Sequence, residues 1–299
     1  MDRPHFVISA VLLMLAGCAD PVARRADALM SDLYAQGGFT GAVVIMRDGE
    51  TLYERGFGMA DETTPFTPET ASESGSLAKP VTAAAIHLLA HEGRVDLDQP
   101  VQGYLTEFPY PETTIRNLLG HSGGLPDYDM FEDLWESGAP TDNLSIIKAM
   151  GERQPAPRFP AGEHFEYCNI CYDTLGAVIA RVTGGTYEDF IAERFFAPAG
   201  MTDTYVRPAH FKDWPGPRAL GYKLRPAGKT PFDIFDNEGV HAGCNINFSA
   251  RDIARWALLW ALEAAAVAPV RKVAVENAVI GDKISPLTIG NWYCAPSRE

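Results

Sequence analysis

The sequence is short of positive charge. It holds 25 Lys and Arg against 39 Asp and Glu, a formal net charge of −14 over 299 residues. Such a surface repels phosphate backbones, so no nucleic-acid partner is expected. There is no long acidic block, no internal repeat and no low-complexity tract, so the charge belongs to a solvated surface rather than to a tail. The seven histidines are scattered without HExxH-type spacing, and no metal or other cofactor is expected. Long hydrophobic runs are missing except for one near the start, Phe6 to Ala16. That run is too short to span a bilayer with ease and reads as the core of a signal peptide. What is present is a 46% hydrophobic chain, enough for a sizeable core, which excludes a disordered protein.

Cysteine is sparse as well, at five. The first, in Leu15-Ala16-Gly17-Cys18, resembles the bacterial lipoprotein box. The resemblance implies a signal peptide over 1–17, cleavage before Cys18 and lipidation of Cys18. It implies export and lipid anchoring on the periplasmic or extracytoplasmic face of a cell envelope, an oxidising setting. Cys168, Cys171, Cys244 and Cys294 then remain, and three disulfide pairings stay open. Cys168 and Cys171 form a CxxC, but no βαβ pattern surrounds it, which argues against a redox motif. A zinc site is weaker still, because no second CxxC exists.

Downstream, "PVARRADALMSDLYAQGG" places Leu29, Met30, Leu33 and Tyr34 on one helical face closed by Gly37 and Gly38. "TGAVVIMRDGETLYERGFG" reads as two strands around Asp48-Gly49, a hairpin. From "GSLAKP" to about residue 265 the pattern is mostly helices and loops. Thr186 caps "YEDFIAERFF", and Ser249 caps "ARDIARWALLWALEAAA" with Asp252 in capping-box position. "LTIGNWYCA" reads as one more strand. The outline is α/β: early antiparallel strands, a large helical insertion, and a return toward the sheet.

Three serines compete as nucleophile. Ser76 stands three residues before Lys79, so both face one side of a helix start. Its backbone N–H at a helix N-terminus suits an oxyanion. Ser145 has the same spacing to Lys148, but Asp142 or Asn143 already caps that helix. Ser122 in "GHSGG" fits G-x-S-x-G, yet the nucleophile elbow needs a strand before the serine and a helix after it. Here a short helix capped by Thr113 or Thr114 precedes and a loop with Pro126 follows. A serine hydroxyl needs a base. Tyr167-Cys168-Asn169 offers one, since a phenol serves where a neighbouring ammonium favours the phenolate. Asn169 can orient a substrate amide or carbonyl.

"GSLAKPVTAAAIHLL", "TTIRNLLGHSGGLPDY", "FPAGEHFEYCNICYDTLGAVIARVTGG", "APAGMTDTY" and "HAGCNINFSARDIARWALL" occur in the order seen in serine β-lactamase-related proteins. That group includes class C β-lactamases, low-molecular-weight penicillin-binding proteins and related esterases. The resemblance covers roughly residues 25 to 295. It implies an α/β fold, an antiparallel sheet flanked by helices plus a largely helical subdomain, as a single domain over 18–299. It makes Ser76 the acylated nucleophile, Lys79 its proton-shuttling partner, Tyr167 the general base and Asn169 a substrate-orienting group. "GHSGG" then matches a structural loop. The family also needs Lys-Thr-Gly or His-x-Gly on a strand beside the nucleophile, downstream of "FSARDIARW". His121-Ser122-Gly123, Lys229-Thr230-Pro231 and His241-Ala242-Gly243 all lie upstream. The C-terminal strands are therefore read as incomplete. Cys168 and Gly123 also depart from the pattern, replacing a small residue and a common serine. The expected function is acyl transfer on a β-lactam, a cell-wall D-alanyl peptide or a small ester. The alternative is a penicillin-binding-like module that binds without turnover. The expected partners are a small-molecule or peptide substrate and, through the lipid, a membrane.

Overall fold

The computed structural model of the chain describes residues 20–136, 141–208, 213, 215, 218–225, 228–232, 238–261, 279–280 and 283–284. Cys18, Cys294 and the strand expected at "LTIGNWYCA" lie outside them. Helix α1 (Pro21–Ala35) begins as its sequence dictates, with Pro21 in the first turn and the Asp20 carboxylate accepting from Val22 N–H at 2.7 Å. It lies on the hairpin of β1 (Gly41–Arg47) and β2 (Glu50–Phe57) through Asp27, which accepts from Arg55 at 2.6 Å and from Tyr53 Oη at 3.1 Å. The expected apolar face of α1 is not a buried one: Leu29, Leu33 and Tyr34 all stay exposed. The hairpin turns at Asp48 and Gly49, both at positive φ (52° and 87°), as a tight two-residue turn requires.

The strand β3 (Ser72–Glu73) leads to α2 (Ala78–His91), the most deeply buried helix. Val81, Ile86 and Leu89 are fully buried there, each contributing about 1.5–3 kcal/mol. Next come α3 (Ile115–Leu119), α4 (Glu132–Glu136), the short β4 (Thr141–Asp142) and α5 (Asn143–Arg153). Thr114 caps α3 in a reciprocal box with Asn117, and Asp142 caps α5 in one with Ser145. Ser145 is thereby spent on a cap. Then α6 (Asn169–Thr183) crosses the core against α2, α3 and α5. Thr186 caps α7 (Tyr187–Ile191), but the single helix expected there continues as a π-helical turn over Ala192–Phe196.

The remaining strands are short: β5 (Tyr205–Val206), β6 (Gly221–Arg225), β7 (Gly228–Phe232), β8 (Glu238–Gly239) and β9 (Ile246–Phe248). Helix α8 (Ala250–Ala261) follows, capped by Ser249 Oγ, which accepts from Asp252 N–H at 3.1 Å. The pair β10 (Val279–Ile280) and β11 (Lys283–Ile284) comes last. The fold is mixed α/β with small, mainly antiparallel sheets. The three-stranded one, ordered β3-β9-β5, supports the site, and β4 with β8 is a parallel pair. Among the described residues no helix is long and apolar enough to cross a membrane.

Candidate active site

Ser76 sits in a 3₁₀ turn, Gly75–Leu77, between β3 and α2. The turn is tied at its entry. Ser74 Oγ donates to Ile246 O of β9 at 2.6 Å, and Glu73 Oε1 accepts from Gly75 N–H at 3.0 Å. Gly75 takes φ 53°, a conformation that favours glycine. Ser76 is half-buried, with its Oγ toward two partners. Lys79 Nζ donates to it at 3.1 Å, and Tyr167 Oη donates to it at 2.6 Å.

Lys79 lies beneath, only 2% exposed. An ammonium has three N–H groups, and here each finds an acceptor: Ser76 Oγ, Asn169 Oδ1 at 2.8 Å and Gly243 O at 2.6 Å. The charge also sits over the Tyr167 ring at 4.9 Å and the Tyr172 ring at 5.7 Å. The backbone at Gly243 is fixed by Asp173, whose Oδ1 accepts from Gly243 N–H at 3.0 Å, while Oδ2 accepts from Tyr128 Oη at 2.6 Å. A side chain at 243 would bring its Cβ within 2.5 Å of Asp173 Oδ1, so the site needs glycine there. Tyr172 is fully buried and held well above the ordinary phenol value, first by burial and then by Tyr167. It stays protonated and donates to Leu119 O at 3.1 Å. Tyr167, 40% exposed, is thus the phenol placed to exchange a proton with Ser76.

His121 grips the segment that carries Tyr167. Its carbonyl accepts from Glu166 N–H at 2.8 Å, its ring stacks on the Tyr167 ring at 4.7 Å, and its Nδ1 accepts from Cys168 N–H at 3.0 Å. Burial first, and the charge of Lys79 second, pull its pKa down to about 4, so the imidazole is neutral. Of the three pairings open to the cysteines, a Cys168–Cys171 bridge is formed, and Cys244 stays outside it. Gly123 makes room for that bridge: a Cβ there would stand 3.2 Å from Cys171 Sγ and 3.1 Å from Leu118 Cδ2.

The four residues expected at the site, Ser76, Lys79, Tyr167 and Asn169, are thus brought together. Ser122 is not among them. It is buried in the turn after α3, paired weakly at 3.4 Å with Asn117, with neither the preceding strand nor the following helix of an elbow. His241-Ala242-Gly243 forms a bend under Lys79 rather than a strand, and His241 Nε2 pairs with Glu188 at 2.9 Å. Lys229-Thr230-Pro231 lies on β7, which pairs with β6. Among the described residues, no three His, Cys, Asp or Glu side chains converge as a metal set. The sequence offers His121 and Gly243 only as parts of third-motif lookalikes and gives no role to Asp173. One signal was available: Asp173 interrupts an apolar helical run one turn after Asn169.

A family model described as Beta-lactamase matches residues 26–288. Penicillin-binding protein 4* of Bacillus subtilis is 36% identical over 171 residues, 56% of this chain and 38% of that protein. A penicillin-binding protein homologue from Pyrococcus abyssi, described as octameric, has a structure similar at TM-score 0.69 with 26% identity, covering 85% of this chain and 60% of the other. The D-amino acid amidase of Ochrobactrum anthropi is similar at TM-score 0.63 with 27% identity, covering 81% and 70%. The chain spans about half the length of the curated relatives it matches.

Proposed function

The chain belongs to the beta-lactamase family, and from that premise we propose that it is a serine hydrolase working through an acyl-enzyme. Ser76 attacks an amide or ester carbonyl while Tyr167, reacting in its phenolate form, takes the hydroxyl proton across their 2.6 Å contact. The Lys79 ammonium favours negative charge arriving on either oxygen and hands a proton along the pair. Asn169, anchored by Lys79, orients the substrate amide or carbonyl, and the Ser76 N–H at the head of α2 faces the developing oxyanion. Water then releases the acyl group. The substrate class is a β-lactam, a cell-wall D-alanyl peptide or a small ester, a range in keeping with the penicillin-binding and amidase relatives. The protein acts on the outer side of a membrane, tethered through lipid on Cys18. The observation that carries this reading is Ser76 Oγ held between Lys79 and Tyr167.

The test is covalent labelling with a fluorescent penicillin and with a fluorophosphonate, read by intact mass, with Ser76→Ala alongside. An adduct in the wild type that Ser76→Ala loses is expected. No adduct with folded protein would reject it.

A second reading rests on the third-motif lookalikes, none of which lies on a described strand beside Ser76. An oxyanion donor is worth about 2.7–4 kcal/mol. A site with one donor would bind and turn over roughly 100- to 1000-fold more slowly. Reversible penicillin binding without a mass gain would favour this binding module.

A further inference from the structure

We propose that Cys168–Cys171 is a dithiol–disulfide exchange site, and that its state sets the geometry of Tyr167 and Asn169. The acylation part of this rests on the function proposed above; the exchange part does not. The bridge closes a ring of four residues, Cys168-Asn169-Ile170-Cys171, so Asn169 lies inside the ring and Tyr167 is joined to its first member. Breaking it frees the short stretch from which both functional side chains project.

Placement makes the two sulfurs unequal. Cys168 is the N-cap of the 15-residue α6, and its Sγ accepts from Cys171 N–H at 3.0 Å. A helix N-terminus and an N–H donor stabilise a thiolate there. Cys168, itself only 9% exposed, borders a small cleft with Leu125, Asp127, Arg158, Glu166 and Tyr167, whereas Cys171 is fully buried against Gly123 and Leu118. A reductant therefore meets Cys168 first.

The chemistry uses a dithiol. One of its thiolates attacks Cys168 Sγ, forming a mixed disulfide and expelling Cys171 as a thiolate that takes up a proton. The second thiolate then attacks the reductant's own sulfur and expels the Cys168 thiolate onto the helix terminus. Two electrons pass to the protein, and the dithiol leaves as its cyclic disulfide. Reoxidation by a disulfide reverses each step. In the reduced state, Cys168 N–H and Asn169 lose the ring that holds them against His121 Nδ1 and Lys79 Nζ.

The experiment treats the protein with dithiothreitol under native conditions, traps thiols with iodoacetamide and maps them by mass spectrometry. Hydrogen exchange of residues 165–172 is followed in both states, and so is the rate of fluorophosphonate labelling. Alkylation at Cys168 and Cys171 is expected, with faster exchange confined to that segment. Labelling should fall by roughly tenfold and recover on reoxidation, as misplaced reacting groups predict. Cys168→Ser/Cys171→Ser should label at the reduced rate whatever the dithiol. A bridge that resists dithiol in the folded protein, exchange unchanged at 165–172, or exchange rising throughout the chain would overturn the proposal. So would reduction with no change in a measurable labelling rate. Absence of labelling in both states rejects the hydrolase reading instead, and the alkylation and exchange results still decide the redox site.

Discussion

One imidazole fixes the segment that presents the candidate base. His121 touches Glu166, Tyr167 and Cys168 in succession, and the contact to Cys168 N–H needs an unprotonated Nδ1. Its pKa is depressed to about 4 from an ordinary 6.5, so between those values the unfolded chain binds a proton that the folded chain refuses. Stability from this group is complete above about pH 6.5 and is lost as pH falls toward 4. The loss amounts to about 3 kcal/mol. Urea unfolding at pH 7, 5.5 and 4 measures it, with His121→Phe as the reference. The wild type should lose more stability over that window than the variant. Parallel curves would show that burial does not hold this histidine neutral.

Gly176 shows how whole elements meet beneath the site. It lies in the middle of α6, where a Cβ would collide with the Asn143 side chain and stand 2.7 Å from Ala242 Cβ. Asn143 opens α5 and accepts from His241 N–H at 2.7 Å, so α5, α6 and the 241–243 bend converge at one glycine. Alanine favours a helix over glycine by about 1 kcal/mol, but overpacking here costs about 1–3 kcal/mol. Gly176→Ala should therefore lower stability in urea and also slow labelling, since the bend carries the Gly243 carbonyl that Lys79 uses. Gly185→Ala, with nothing within 4 Å, is the control and should stay within about 0.5 kcal/mol of wild type. A stabilised Gly176→Ala protein would contradict the close approach. The same contrast explains what could be read from the sequence. Caps are local, so Thr114, Asp142, Thr186 and Ser249 announce their helices, and Ser76 with Lys79 is legible as an i,i+3 pair. Tyr167 and Asn169 stand about ninety residues away; their residue types make them candidates, and the family resemblance ties them to Ser76. His121 to Cys168, Asp173 to Gly243 and Lys79 to Gly243 are long-range contacts of single side chains, which periodicity does not encode. The exposed face of α1 is the converse: its pattern predicts burial, but burial depends on what packs against it.

At the scale of the whole molecule, charge and the proposed anchor act against each other. A protein of net charge −14 is repelled by an anionic bilayer, and no described helix is long and apolar enough to cross one. The proposed lipid on Cys18 would have to hold the protein against that repulsion. Each buried CH₂ contributes about 0.8 kcal/mol, so more than one acyl chain on Cys18 gives a stable hold that salt cannot loosen. Weak electrostatic adsorption would behave oppositely, because screening of the −14 charge at high salt changes it. Fractionation of cells expressing the full chain separates the two. The wild type should stay with membranes through a high-salt wash, and Cys18→Ser should move to the soluble fraction or remain unprocessed with its signal segment attached, which intact mass distinguishes. If a processed Cys18→Ser protein stays on membranes to the same extent as the wild type, lipid on that cysteine is not what holds the protein there.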